Sequence, residues 1–372
     1  MKDFKRLGDY IRPVDVRNRD LKVTELLGLS IEKKFIPSIA NTIGTDMSTY
    51  KIVRPTQFAY VPVTSRNGDK ITVALYEGNG PVLISQAYTV FEIIDHNALL
   101  PEYLMMWFRR PEFDRYARFH SHGSAREVFD WDELCDVMLP VPDIERQRES
   151  VAEYETLTNR IRLNEQIIQR LESTAQALYR KMFVDNIDKE NLPAGWRIGT
   201  LREVANCLDY KRRPLSEDER SKIKGTYPYY GAMSLVDHIN QYIFDGTYLL
   251  FSEDGVNVID ENGHPALQYL WGKFWVNNHA HVLQGNDVVS TEYLYTALKE
   301  VNVTDLVTGA AQPKINQENM NSIQLIVPPK KEMNVFNQNV GHLFDLYKMK
   351  TEENMKLTEL QSLLLAKMGN MG

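Results

Sequence analysis

The sequence predicts an α+β fold in which one β-rich domain occurs twice and each copy is followed by a long helix. The first observation is an internal repeat. The segment from Gly123 to Pro142 aligns with the segment from Gly309 to Pro328 at an offset of 186 residues without a gap. The second observation is a set of strand and turn signals that precede each repeated segment. The third is the helical period of the residues that follow it. Together they predict a pseudo-twofold internal repeat.

Each copy opens with a strand-rich region. Residues 51–94 and 241–283 place β-branched and aromatic side chains between Gly, Asn and Pro breaks, which is typical of short strands and turns. The helices "PEYLMMWFRR" and "TEYLYTALKE" follow. Gly123 and Gly309 are predicted turn residues. The predicted boundaries are a first domain at 1–142, a long helix at 143–183, a linker at 184–196, a second domain at 197–328 and a long helix at 329–372.

The two long helices carry apolar stripes with heptad spacing. Two such helices are expected to bury their stripes against each other, although each could instead pack on its own domain. Asn164 falls in the first stripe and could fix the register at some cost in stability. The side chains predicted to pair are Ile161, Ile168, Leu171, Leu178, Leu343, Leu357 and Leu364.

The composition is typical of a folded protein and predicts neither a membrane span nor a disulfide framework. With 372 residues, 43% hydrophobic and 25% charged, the chain has the make-up of a folded protein of about two to three domains. No apolar run is long enough for a membrane span, and the start "MKDFKRLGDY" lacks the apolar stretch of a signal peptide. A cytoplasmic protein is expected. Cys135 and Cys207 have no CxxC partner, so neither a disulfide framework nor a zinc site is predicted.

The net charge of -7 counts against a uniformly basic nucleic-acid binder. Local clusters of Arg and Lys nevertheless occur on predicted turns, where side chains could contact phosphates and base edges. For any one cluster the alternative is an ordinary solvated surface. The candidate DNA-binding residues are Arg12, Arg17, Lys34, Arg66, Arg126, Lys211, Arg212, Arg213, Lys224 and Lys314.

Catalytic motifs are not found in the sequence. It contains no Asn-Pro-Pro-Tyr or Asp-Pro-Pro-Tyr motif and no Walker A motif, so neither catalytic residues nor a cofactor are expected. "HSH" at 120–122 and "HAH" at 279–281 would each place two histidines on one side of a strand, but no nearby Asp, Glu or Cys completes a tetrahedral metal site at a convincing spacing. Asp209 and Lys211 form an Asp-x-Lys fragment of the kind found in nucleases, but no second acid is placed by sequence.

Several segments, in order, resemble one family. They are "LPAGW" at 192–196, then "YPYYGAMS", "FDGTYLLFSEDG", "FWVNNHAHVL", "TEYLY" and "GAAQPKIN". This order is similar to that of DNA-specificity subunits of type I restriction-modification systems, over essentially the whole chain. The resemblance implies two target-recognition domains, each recognising one half of a split double-stranded DNA site. It also implies that the two helices form an antiparallel coiled coil that sets the distance between the halves.

The resemblance further implies that this chain acts with partner subunits and is not itself catalytic. Two methyltransferase subunits would dock on the helices and supply S-adenosylmethionine, and restriction subunits would complete the assembly. The expected function is therefore a noncatalytic DNA-binding subunit, and the alternative is a self-sufficient nuclease or modification enzyme of a related system. Gln147 follows the prolines of the first copy where Met333 stands in the second, which weakens any claim of equal partner contacts on the two helices.

Overall fold

The computed structural model describes residues 4–38, 44–65, 68, 70–123, 126–185, 187–232, 234–255, 258–309 and 312–369. Its contacts divide the chain into two compact units. Unit 1 comprises Met1–Asn164 with Glu352–Gly372, and unit 2 comprises Glu165–Thr351. Each unit contains one β-rich region and part of both long helices, because the division cuts each helix near its middle.

Unit 1 is built from short strands and helices around an aromatic core. Its strands are β1 (Phe4–Arg6), β2 (Ile11–Val14), β3 (Leu27–Leu29), β4 (Phe35–Pro37), β5 (Lys51–Val53), β6 (Phe58–Tyr60), β7 (Val73–Leu75), β8 (Val82–Ile84), β9 (Thr89–Ile93) and β10 (Met138–Pro140). Its helices are α1 (Pro101–Phe108), α2 (Pro111–Phe119), α3 (Trp131–Cys135) and the first part of α4 (Ile144–Phe183). β2, β9, β6 and β7 form an antiparallel sheet in that order, on which Phe58 and Phe91 stack with ring centroids 4.9 Å apart.

Unit 2 has a larger sheet. Its strands are β11 (Arg197–Thr200), β12 (Ala205–Cys207), β13 (Lys224–Tyr230), β14 (Leu235–Ile239), β15 (Phe244–Ser252), β16 (Leu267–Val276), β17 (Ala280–Gly285) and β18 (Gln324–Val327). Its short helices are α5 (Leu201–Val204), α6 (Glu217–Lys222), α7 (Thr291–Leu298) and α8 (Gln317–Asn321), and the last helix is α9 (Lys330–Met368). The six-stranded sheet has the order β12, β17, β15, β16, β13, β14.

The internal repeat is confirmed by elements that lie 186 residues apart. α3 and α8 begin at such positions, and so do β10 and β18. The side chain of Asp130 accepts from the backbone N–H of Glu133 at the start of α3, and Asn316 accepts from Asn319 in the same way at α8. Each cap satisfies an N–H group that the helix itself leaves unpaired. The two copies therefore share local hydrogen bonding as well as element order.

A buried tyrosine occupies the same place in each unit. The hydroxyl of Tyr103 on α1 donates to the carbonyl of Pro140 at 3.3 Å, and that of Tyr293 on α7 donates to the carbonyl of Ile326. Both rings are fully buried, so the hydroxyl needs a partner inside the core. In each unit this bond ties the short helix to the strand that precedes the long helix.

α4 and α9 pair and run antiparallel, which confirms the predicted helix pairing. The amide of Asn164 donates to Asn354 at 2.9 Å, and the amide of Gln361 donates to the hydroxyl of Thr158 at 2.7 Å. Residue numbers fall along α4 as they rise along α9, so the helices are antiparallel. The side chains predicted to pair are all partly buried: Ile161, Ile168, Leu171, Leu178, Leu343, Leu357 and Leu364. Among the described residues, no helix is both long and apolar enough to cross a bilayer.

The long helices also complete the cores of the two units. In unit 2, Tyr179 and Phe183 of α4 lie against Phe336 of α9, with ring centroids 6.4 and 5.3 Å apart. In unit 1, Leu365 and Met368 of α9 join the main apolar cluster. Packing of each helix on its own domain alone is therefore excluded.

The difference between Gln147 and Met333 lies inside the protein. Gln147 is fully buried, and its amide donates to the carbonyls of Ala98 and Pro142 while its oxygen accepts from the N–H of Leu100. Met333 is 3% exposed in the apolar core of unit 2. Two buried side chains cannot contact a partner directly.

Replacing Asn164 with alanine is expected to destabilise unit 1 by about 1–3 kcal/mol, because the amide oxygen of Asn354 loses its donor in the helix seam. Replacing Asn164 and Asn354 together with leucine should recover that loss, since both partners then become apolar. Asn339→Ala removes an exposed asparagine of α9 and is the control, with an expected change below about 0.5 kcal/mol. Urea unfolding measures all three. A leucine pair no more stable than Asn164→Ala would contradict this account of the seam.

Candidate nucleic-acid interface

Both units carry a tight turn at repeat-related positions. The turn is closed by pairing of His122 with Val128 in unit 1 and of Thr308 with Lys314 in unit 2. In each unit the turn lies between the short helix of the domain and the capped helix α3 or α8. Any side chain placed on these turns is therefore held by the repeat's shared framework.

The glycine of each turn is required by its backbone geometry. Gly123 and Gly309 have φ values of 134° and 84°, which residues with a side chain rarely adopt. A Cβ atom at Gly309 would also lie 2.4 Å from the carbonyl oxygen of Gln312. The predicted turn role of both glycines is confirmed.

In unit 2 a second loop, residues 208–214 between β12 and α6, alternates buried and exposed side chains. The side chains of Asp209 and Arg212 are 9% and 14% exposed. Tyr210 is 77% exposed, and Lys211 and Arg213 are exposed as well. The loop therefore presents one aromatic ring and two cations to solvent while it anchors itself through the two remaining charged groups.

The anchor is a group of five side chains that we call the charge cluster: Asp209, Arg212, Glu253, His281 and Lys314. The Arg212 guanidinium lies 2.7 Å from Glu253 and 3.1 Å from Asp209. The Lys314 ammonium lies 2.9 Å from Glu253, and His281 Nδ1 lies 2.6 Å from Asp209. The cluster connects the 208–214 loop to the 308–314 turn and to the ends of β15 and β17.

The cluster keeps its two carboxyl groups ionised. Burial opposes ionisation of Asp209, but hydrogen bonding to His281 and the nearby Arg212 hold the pKa of its carboxyl below the usual value. Burial acts in the same sense on Glu253, and hydrogen bonds from Arg212 and Lys314 hold the pKa of that carboxyl low. The two carboxylates therefore lie in direct contact with the basic side chains of Arg212 and Lys314.

The histidines are placed differently from the sequence prediction. His279 lies in the turn before β17, which begins at Ala280, so the prediction that both histidines share one side of a strand was wrong. His279 Nδ1 lies 2.9 Å from Asp254. The buried His281 faces Asp209 through Nδ1 and the carbonyl of Ile315 through Nε2, at 2.9 Å. Both ring nitrogens of His281 are therefore held by groups of the protein.

Acids also come closer to these histidines than the sequence predicted. Ligand-type atoms of Asp209, Glu253 and His281 lie within 4.8 Å of one another. The acids were missed because they come from segments distant in sequence. Arg212 and Lys314 are bonded to the same carboxylates, so the arrangement that the structure describes is a salt-bridged anchor with its anions already compensated.

The predicted cations of unit 2 fall into different environments. Lys211 and Arg213 are exposed on the 208–214 loop, whereas Arg212 is turned into the charge cluster. Lys224 lies on β13, where its ammonium is 2.6 Å from Asp237 of β14. Lys314 belongs to the cluster but its side chain remains 45% exposed. The structure thus brings four of the five predicted cations together and leaves Lys224 on a separate hairpin.

Two predicted cations of unit 1 pair with acids at the surface. Arg12 lies 2.6 Å from Glu92 and keeps 62% of its side chain exposed. Arg17 lies 2.8 Å from Asp15 and also donates to a backbone carbonyl at 2.7 Å. An exposed arginine such as Arg12 exchanges partners at little cost, so it remains accessible to an anionic ligand, whereas Arg17 is 29% exposed and is held by its two contacts.

The remaining predicted cations of unit 1 lie on loops. Lys34 is exposed beside β4, and Arg126 is exposed on the 122–128 turn. Arg66 lies outside the described residues. The adjacent Lys33 is 6% exposed and bonded to Asp114 at 2.7 Å, so it supports the fold. In unit 1, as in unit 2, neighbouring basic residues divide into one that anchors and one that is exposed.

Sequence reasoning missed several exposed side chains near the charge cluster. They include Tyr210 of the 208–214 loop, Asn278 and His279 of the turn before β17, and Gln312 of the 308–314 turn. Asn and Gln amides can donate to and accept from base edges. The available signal was the Asp-x-x-Arg spacing of residues 209–212, which in a short loop turns both charged groups to one side.

Comparison with known proteins identifies a family. Residues 193–362 match the family model described as Type I restriction modification DNA specificity domain. A candidate type I restriction enzyme specificity subunit of Haemophilus influenzae is 32% identical over 129 residues, which cover 35% of this chain and 32% of that protein. The specificity subunit of the type I restriction enzyme HindI from the same species is 22% identical over 405 residues, covering 82% of this chain and 86% of that protein.

A solved structure has the same fold along nearly the whole chain. The crystal structure of the type I restriction-modification S subunit from M. genitalium superposes with a TM-score of 0.57 at 14% identity and covers 98% of this chain and 95% of that one. Residues 193–362 thus carry a type I restriction modification DNA specificity domain, and the chain is similar over most of its length to DNA-specificity subunits of type I restriction-modification systems.

Proposed function

We propose that this chain is the sequence-specific DNA-binding subunit that recognises a bipartite site and directs the methyltransferase and restriction subunits of a type I restriction-modification complex. Each unit would recognise one half of the site. The observation that carries the proposal is the 208–214 loop of unit 2, which presents Lys211 and Arg213 to solvent from a salt-bridged base. Phosphate contacts by such cations fix the position of a protein on DNA.

The helix pair supports the proposed division of labour. Asn164 and Asn354 form a hydrogen bond across its antiparallel seam, and a coiled coil of two such helices can act as a spacer. We propose that its outer faces dock two methyltransferase subunits, which supply S-adenosylmethionine. DNA carrying the site and restriction subunits would complete the complex, and the cytoplasm is the compartment in which such a complex would meet DNA.

We further propose that this chain is itself noncatalytic. The feature closest to a nuclease centre is the pair Asp209 and Glu253, and both carboxylates are bonded to cations of the protein. Carboxylates compensated in this way are poor ligands for a catalytic metal ion, because Arg212 and Lys314 would first have to leave. The alternative, a self-sufficient nuclease or modification enzyme, requires that displacement.

The purified chain is expected neither to methylate nor to cut DNA, with or without Mg²⁺. Adding a cognate methyltransferase subunit and S-adenosylmethionine should start methylation at a discrete set of sites. Transfer of a radioactive methyl group and gel analysis of plasmid DNA measure the two activities. Cutting by the isolated chain that disappears in a Glu253→Gln variant would establish the nuclease alternative.

Replacing Lys211 and Arg213 together with alanine should weaken DNA binding and lower the slope of log affinity against log salt by about 0.9 for each lost phosphate contact. Arg162→Ala with Lys356→Ala removes the same charge from exposed positions of α4 and α9 and is the matched control. Fluorescence anisotropy between about 50 and 200 mM salt gives both slopes. Equal slopes for the two double variants would assign Lys211 and Arg213 to the ordinary solvated surface.

Removing residues 161–167 and 351–357 tests the proposed spacer. The deletion takes one heptad from each helix and removes Asn164 and Asn354 together, so neither asparagine is left without its hydrogen-bond partner. The coil shortens by about 10 Å at ~1.5 Å per residue. That length equals about three base pairs at ~3.4 Å each, which rotates one half-site by roughly 100° relative to the other.

The expected result is methylation at a shorter spacing between unchanged half-sites, or loss of methylation if the linkers cannot absorb the rotation. Sequencing of methylated bases in a host that carries the complete system reads out the spacing. The Asn164→Leu with Asn354→Leu variant removes the same pair without shortening the helices and should keep the original spacing. Full methylation at the original spacing after the deletion would remove the spacer role from the proposal.

A further inference from the structure

Tyr210 is exposed on a loop whose other parts are firmly held. Its side chain is 77% exposed, whereas Asp209 and Arg212 on either side of the Tyr210–Lys211 pair are almost buried. The Lys211 ammonium lies 5.8 Å from the Tyr210 ring centroid. An aromatic ring thus stands at the surface next to two exposed cations, Lys211 and Arg213.

The backbone beneath the ring is fixed at both ends. The N–H of Leu208 donates to Val282 at 2.8 Å, and the N–H of Val282 donates to the Asp209 carboxylate at 2.9 Å. On the other side, the indole of Trp275 donates to the carbonyl of Arg213 at 2.6 Å. A ring presented from such a loop loses little backbone freedom when it binds, so more of the contact energy appears as affinity.

The chemical combination points to nucleic acid. Aromatic rings bind bases through their faces, and adjacent Lys and Arg side chains bind the phosphates on either side. Apolar and aromatic side chains also enter between neighbouring base pairs and partly unstack them. A tyrosine held between an inward-facing charge cluster and outward-facing cations is suited to this role.

Resting on the proposed DNA-binding function, we propose that the ring of Tyr210 packs against a base in the half-site recognised by unit 2, while Lys211 and Arg213 contact the flanking phosphates. Tyr210 then contributes to sequence specificity, and the two cations contribute to affinity for any DNA. Asp209 and Arg212 act as positioning residues, because they hold the loop from which the ring projects.

The test compares Tyr210→Ala and Tyr210→Phe in the full chain with its methyltransferase subunit. The probes are a duplex carrying the site mapped by methylation sequencing and a scrambled duplex of equal length. Tyr210→Ala should weaken binding to the mapped site roughly 5- to 150-fold, as expected for one lost base contact, and leave the salt slope unchanged because no charge is removed. Binding to the scrambled duplex should change less than about twofold, and Tyr210→Phe should retain wild-type behaviour.

A base-level signal supplies the second measurement. With 2-aminopurine placed in turn at each position of the half-site, the fluorescence at one position should change on binding of the wild type and of Tyr210→Phe, but not of Tyr210→Ala. Thermal unfolding should be the same for all three proteins, because the ring is exposed. Loss of affinity in Tyr210→Phe equal to that in Tyr210→Ala would overturn the ring contact, and so would an equal loss on both duplexes.

The failure of this inference is distinguishable from failure of the proposed function. If the wild type discriminates the mapped site and Lys211→Ala with Arg213→Ala lowers the salt slope, an unaffected Tyr210→Ala variant overturns the inference alone. If the wild-type complex binds both duplexes equally, the proposed recognition function fails and the inference fails with it.

Discussion

The antiparallel pairing of α4 with α9 is the constraint on which both units depend. α4 leaves unit 1 and supplies Tyr179 and Phe183 to the core of unit 2, while α9 leaves unit 2 and supplies Leu365 and Met368 to the core of unit 1. Neither β-rich region completes its core with side chains from its own half of the sequence. Loss of the helix pairing would therefore expose apolar surface in both units at once.

The repeat and the helix pairing could be predicted from the sequence because both are periodic. A fixed offset of 186 residues relates Gly123 to Gly309, and the structure repeats the turn, the capped helix and the strand that follow at that offset. Heptad spacing likewise predicts which sides of α4 and α9 are buried. Both inferences rest on patterns that are visible along the chain, so neither needs knowledge of which distant residues meet in the folded protein.

The charge cluster could not be predicted, because its members come from segments that only the folded sheet brings together. Asp209 follows β12, Glu253 follows β15, and His281 lies on β17. In the sequence, only the spacing of three residues from Asp209 distinguishes Arg212 from Lys211 and Arg213 on either side of it. The folded loop separates them, since its bend turns Arg212 inward and its neighbours outward. Arg212 is thus placed to orient the candidate interface rather than to face a ligand from solvent.

The acidic net charge and the proposed DNA binding are compatible because a DNA backbone responds to local charge. Beyond about 10 Å most exposed charges are screened by salt, so acids elsewhere on the chain have little effect at the loops. Next to the loops, Asp209 and Glu253 are compensated by Arg212 and Lys314, which leaves Lys211 and Arg213 to set the local field. Since Asp209, Arg212 and Glu253 are nearly buried, the exposed residues of the 208–214 loop can change without disturbing the contacts that support it. Two copies of one framework can in this way carry different exposed residues.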